Sequence, residues 1–195
     1  NIILMIVVSF LGVTIFNSFT YISLQTSLVI NASLMTSTAP VLIIGFSWLI
    51  FKTKTTFFQF LGIFISLFGV FCIILKGNFG NLLNLYFTPG DLWMFIAVFS
   101  WAMYSVLLKK INSNLNQLAT LEIMIIIGLI LLSPFYILES LKNNFFLIKK
   151  IDLYMISYVS IFAGIISFFF WNKGVILIGA NRASFFLHLI PVFSS

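Results

Sequence analysis

Apolar residues fall along this chain in long blocks parted by short polar breaks, and block length is the main signal. Seven blocks can be drawn: Ile2–Leu24, Leu28–Phe51, Phe57–Leu75, Leu92–Leu108, Leu118–Leu138, Tyr154–Ile178, and one that begins near Asn181. A helix needs about 20 apolar residues to cross the hydrocarbon of a bilayer, and all but the last block approach that length. The blocks show almost no alternation of apolar and polar positions, whereas barrel strands need a period of two. The breaks carry turn chemistry, Lys76-Gly77-Asn78 with Pro89-Gly90-Asp91 and then Asn112-Ser113-Asn114. The pattern predicts an all-α, polytopic membrane helix bundle.

Within that pattern one motif is used twice. Ala32-Ser33, followed by Pro40-Val41, returns as Ala183-Ser184 followed by Pro191-Val192, each residue 151 positions on. The copies lie in the second and seventh spans, an odd number of crossings apart, so they run in opposite directions through the membrane. Two related bundles inserted in opposite senses are the mark of an inverted-repeat secondary transporter. The first copy is followed by the rest of its span and by another whole span. The second copy stops about 14 residues into the seventh span, short of a crossing. The start at Asn1 already lies in an apolar run, so the expectation is a fragment with spans missing at both ends.

Composition narrows the classes. Hydrophobic residues make up 62% of the chain, charged residues 7%, and mean hydropathy is +1.19. A soluble domain carries about 25% charged residues, so this chain could not clothe a water-facing surface. The net charge of +6 is spread over short loops rather than gathered into a patch, which argues against a nucleic-acid surface. The lone Cys72 excludes an internal disulfide and a cysteine metal cluster. Lys52, Lys54, Lys109, Lys110 and Arg182 lie on one side, with Lys173 just inside the sixth span. Lys76, Lys142, Lys149 and Lys150 lie on the other. The basic excess predicts that the Lys52/Lys109 side is cytoplasmic.

Candidate chemistry is confined to polar residues within the spans. The sixth span has Ser157, Ser160, Gly164, Ser167, Trp171 and Gly174 on one face, and the second has Ser33, Ser37, Pro40, Ile44 and Ser47. Such faces either let helices approach closely or line a cavity where hydroxyls and aromatic rings meet a polar solute. Pro40 and Pro191 are expected well inside their helices, each freeing the carbonyl four residues back, at Thr36 and Leu187. His188, one turn before Pro191, is either a pocket residue or a proton carrier. Asn17 is a polar contact within the first span, and Trp101 with Tyr104 is either core or cavity lining. Trp48 and Trp93 fit an interfacial belt. The candidate substrate pathway is therefore Asn17, Ser37, Pro40, Trp101, Tyr104, Ser167, Trp171, His188 and Pro191.

At this level of detail the chain resembles the EamA-type transporters of the drug/metabolite transporter superfamily. The resemblance rests on the twice-used motif and on Gly62 and Gly69 in "GIFISLFGV". It also rests on Gly90-Asp91-Leu92 with Trp101-Ala102-x-Tyr104 and Lys109-Lys110, and on the stretch from Trp171 to Phe193. It implies two inverted five-helix repeats, of which this chain would hold the third to ninth helices. Residues 1–76 would end the first repeat, 77–91 link the two, and 92–195 begin the second. Two positions depart from the family pattern: Thr53 stands where an acidic residue is usual, and His188 where an Asn is common.

Function follows as an expectation. There is no H-E-x-x-H, no G-x-S-x-G and no P-loop, so neither an enzyme nor an ATP-driven pump is indicated. No metal site or other cofactor is implied. The resemblance implies a carrier of small polar metabolites such as amino acids, or of drugs, working by alternating access, with export the commoner direction. Its partners would be a small-molecule solute and the lipid bilayer of a bacterial inner membrane. The alternatives are a channel, for which no filter-like segment is present, and a non-transporting membrane assembly subunit.

Overall fold

The computed structural model describes residues 2–53, 56, 61–65, 67–69, 88–111, 116–142 and 149–190. The third predicted span lies mostly outside these residues, as do Cys72, the Asn112 turn and Pro191. The described residues are helical with short connections, an all-α membrane bundle with five helices long and apolar enough to span a bilayer. The helical segments are α1 (Ile2–Leu24), α2 (Val29–Ser37) and α3 (Ala39–Phe51), which share one span, α4 (Pro89–Leu108), α5 (Gln117–Lys142), α6 (Lys150–Ile178) and the short α7 (Ala180–Ala183). Beyond α7 the chain tightens into a 3₁₀ turn over Ser184–Leu189.

The second span is two helices rather than one. α2 ends at Ser37, Thr38 bridges, and Pro40 falls in the first turn of α3, where a missing N–H costs nothing. The Thr38 hydroxyl donates back to the Met35 carbonyl at 2.7 Å, and the Thr38 carbonyl accepts from Val41 N at 3.1 Å and Leu42 N at 3.3 Å. The expectation of Pro40 well inside a helix is thus corrected: the ring that would strike the Thr36 carbonyl divides the span. Gly179, with φ at +85°, ends α6 and turns the chain into α7, a conformation that a side chain would strain.

α4 is the centre of the bundle and touches α1, α2, α3 and α6; α5 packs on α1 and α6. Ala102, Tyr104 and Val106 of α4 are buried in one cluster with Val8, Ile43, Leu121, Met124 and Val175, and its Met94, Ala97 and Val98 in another with Ala32 and Ala39. Small residues permit the approach. A Cβ on Gly12 would collide with the Tyr104 ring, and one on Gly128 would meet Val13. Hydroxyls bond across the same contacts, Ser100 to the Leu11 carbonyl at 2.6 Å and Thr14 to the Gly128 carbonyl at 3.2 Å. Phe135, Leu138, Ile161 and Leu177 stay exposed, as befits a belt facing lipid tails.

Two helices carry π-helical turns, α1 over Phe10–Ile15 and α6 over Val159–Ile166. The Phe16 N–H reaches the Leu11 carbonyl and the Ser167 N–H reaches the Phe162 carbonyl. Donor and acceptor alike are 151 positions apart in the two helices, the shift that relates the two sequence motifs. A wide turn leaves carbonyls short of helical partners, and side chains supply them. Asn17 donates to the Gly12 carbonyl at 3.4 Å and to Val13 at 2.8 Å, and Ser167 donates to Phe162 at 2.8 Å.

Candidate solute site

Three of the predicted pathway residues, Trp101, Tyr104 and Trp171, form one region. Trp101 lies with its ring centroid 5.2 Å from Tyr104 and 5.3 Å from Trp171, and is flanked by Phe16 at 4.5 Å and Phe168 at 5.3 Å. The Trp171 indole donates to the Ser105 hydroxyl at 3.1 Å, and that hydroxyl donates to the Trp101 carbonyl at 2.8 Å. Tyr104 is fully buried, and its hydroxyl donates to Asn172 Oδ1 at 2.5 Å. Trp101 and Trp171 remain half-buried, so their rings are both packing partners and available surface. Phe16 and Phe168 extend this group and were not anticipated.

The fourth member is Asn172 by position rather than by prediction. It sits beside Trp171 in α6 and lines a cavity of about 360 Å³ at the Lys109 end of the bundle. Sequence reasoning passed over it, although an amide within an apolar span is a signal in itself. The other polar residues around that cavity, Lys109, Gln117 and Thr120, come from the end of α4 and the start of α5.

A second region gathers around α7. The 3₁₀ turn Ser184–Leu189 packs on α2 and α3, so the helices carrying the two copies of the motif touch. Ser37 is buried and its hydroxyl donates to the Ser33 carbonyl at 2.8 Å. His188 is the residue 151 positions further on. It is 6% exposed, and neither ring nitrogen has a partner among the described residues. A buried imidazole without a partner is costly unless something else meets it. Pro40 is buried beside Ser37.

Two predicted residues stand apart. Asn17 and Ser167 serve the carbonyls of their own π turns, and Ser167 is exposed together with Ser157 and Ser160. The small face of α6 therefore contacts little among the described residues. A Cβ on Gly62 would lie 3.9 Å from the Phe185 ring. Pro191 lies outside the described residues.

At the opposite end Asp91 has a role that its loop position concealed. Its carboxylate accepts from the Thr88 N–H at 2.7 Å, from Asn31 Nδ2 at 3.0 Å and from the Ser27 hydroxyl. It caps α4 and ties it to the turn after α1. Gly90 lets the backbones meet there, since a Cβ would lie 2.6 Å from the Ser23 carbonyl oxygen and the Ser27 nitrogen. Among the described residues, no group of His, Cys, Asp or Glu is placed to hold a metal ion.

The EamA-like transporter family matches residues 1–75 and 88–195. The chain belongs to that family. EamA relatives include the uncharacterized transporter YyaM of Bacillus subtilis (strain 168), 28% identical over 96% of this chain and 61% of its own. The uncharacterized transporter YetK of the same organism is 23% identical over 98% of this chain and 58% of its own. An uncharacterized transporter of Archaeoglobus fulgidus is 24% identical over 94% and 62%. The chain thus spans about three fifths of the length of these relatives. No solved structure matches it. Membership makes this a multi-pass transporter-family protein whose setting is a lipid bilayer.

Proposed function

We propose that the protein is a secondary carrier that moves a small polar metabolite, an amino acid or similar compound, or a drug, by alternating access and in the export direction. Catalysis plays no part in this reading. The observation that carries it is the pair Ser37 and His188: repeat-equivalent positions, both buried, on helices that pack together, with the imidazole free of partners among the described residues. The shared shift of the motifs and the π turns supports two related units, residues 1–76 and 92–195, joined by 77–91. The basic loops support a cytoplasmic Lys52/Lys109 side in a bacterial inner membrane. A Cys at Lys110 then resists impermeant thiol reagents in intact cells while one at Asn144 reacts; the reverse pattern inverts the orientation.

The test of the site is solute flux through His188→Ala and Trp171→Ala variants of the full-length protein. His188→Ala should lower flux with protein level unchanged. Trp171→Ala should lower flux further than protein level falls, since it also loses the bond to Ser105. Flux and protein falling in equal proportion in both variants would assign these residues to packing and favour an assembly subunit. If His188 carries a proton, His188→Gln flattens the pH dependence of flux between about pH 5 and 8, and an unchanged profile removes that role.

A further inference from the structure

We propose that the cavity at the Lys109 end of α4, α5 and α6 is a binding site for a small carboxylate with an apolar tail. That this ligand is the transported solute rests on the carrier reading above; occupancy of the site does not. The cavity, at about 360 Å³, falls within the range of small-molecule sites. Its polar lining is rich in donors. Lys109, whose ammonium lies 5.8 Å from the Phe51 ring centroid, lines the cavity, and Gln117 Nε2 is buried with no partner among the described residues. Asn172 spends Oδ1 on the Tyr104 hydroxyl, which leaves its Nδ2 hydrogens for the cavity. Thr120 donates its hydroxyl hydrogen to the Asn116 carbonyl at 3.1 Å.

No acid stands among the described lining residues. The start of α5 opens onto the same space, and the positive end of its backbone dipole adds to the Lys109 charge. An ammonium, a buried unpaired amide donor and a second amide fit a group with several acceptor oxygens and a negative charge. A cationic ligand would instead face Lys109 with no counter-charge. The rest of the wall, Leu108, Ile111 and Ile176, is apolar and suits an aliphatic or aromatic tail. Asn172 connects the cavity to the aromatic region, because Tyr104, whose hydroxyl donates to it, packs its ring on Gly12 in the π turn of α1. A ligand drawing on Asn172 is therefore linked, through the Asn172–Tyr104 bond, to the contact between α1, α4 and α6.

Hexanoate is the probe, titrated by saturation-transfer NMR into the protein in phosphatidylcholine nanodiscs, with hexanamide and hexylammonium as isosteric controls. Hexanoate is expected to saturate with an affinity about tenfold or more above hexanamide, since a hydrogen bond to a charged group is worth that much. Hexylammonium should not compete. Lys109→Gln should erase the preference for hexanoate over hexanamide, while Lys173→Gln, outside the cavity, should leave it intact. Equal affinities for hexanoate and hexanamide, or equal effects of the two Lys variants, overturn the proposal. Loss of hexanoate binding when phosphatidylglycerol is added to the disc overturns it too, because the site then belongs to a lipid headgroup. Hexanoate binding without hexanoate flux refutes the carried-solute reading and leaves the site. Flux of other solutes without hexanoate binding does the reverse.

Discussion

α4 and α6 are both long apolar helices, and α6 is the more hydropathic, yet their surroundings are opposite. More than half of the apolar stretch of α4 is buried, against about a sixteenth of that of α6. Every neighbour of α4 contributes a side chain, a small residue or a hydroxyl to it, whereas Lys150–Tyr158 and Val159–Ile166 bury no residue at all. Hydropathy measures how well a helix tolerates lipid. It does not measure how much protein surrounds it, because a lipid tail and a leucine are equivalent partners for an apolar face. Small and hydroxyl residues occur in both helices, but Ser100, Ala102 and Ser105 of α4 are buried, whereas Ser157, Ser160 and Ser167 of α6 are exposed.

Matched substitutions in the two helices test that contrast, and the largest effect belongs to the glycines. Gly90→Ala places a methyl against the backbone of Ser23 and Ser27, atoms that cannot swing away, and should cost about 3 kcal/mol of folded-state stability. Gly174→Ala in α6 meets nothing within 4 Å and should be neutral or gain up to about 1 kcal/mol from helix propensity. Thermal unfolding of the purified variants reads both. Comparable losses would mean that the exposed face of α6 is packed after all.

Next come the capping carboxylates. Asp91 and Asp152 both accept the N–H three residues back, at 2.7 Å from Thr88 and 2.9 Å from Lys149. Only Asp91 also binds Asn31 and Ser27 on another helix and its turn. Asp91→Asn should cost about 2 kcal/mol by unsettling a buried network, and Asp152→Asn well under about 1 kcal/mol as a simple loss at a helix start. If the two losses match in the same unfolding assay, Asp91 is only a cap and not a tie between helices.

The smallest difference is expected at the tyrosines. Tyr104→Phe leaves Asn172 Oδ1 without its donor and should cost about 1 kcal/mol, with a matching change in any ligand response at the Lys109 end. Tyr158→Phe, on an exposed ring of α6, should fall within about 0.5 kcal/mol of the parent. A silent Tyr104→Phe would show that the bond to Asn172 neither holds the bundle nor shapes the cavity.

Much of the candidate site could be read from the chain because its residues share helices. Trp101 and Tyr104 lie within a turn of each other, and Ser37 and His188 are found by the motif itself. Asn172 and Gln117 were not legible, since their significance depends on which helix ends converge. Asp91 looked like a loop charge, and only the approach of the turn after α1 makes it a tie.

The sequence by itself determined the class, the outer ends of the described spans to within a few residues, the repeated motif and the family, because apolar length and short local spacings are properties of one helix at a time. It also contained the 151-residue shift that the π turns share. Only the tertiary structure decided which helix is central, that Pro40 opens a helix instead of kinking one, that Asn17 and Ser167 serve their own backbones, and that a cavity forms beside Asn172. The physical reason is that in lipid every apolar face is equally content. Neighbours are chosen by the fit of glycines against rings and by hydrogen bonds between helices far apart in the chain.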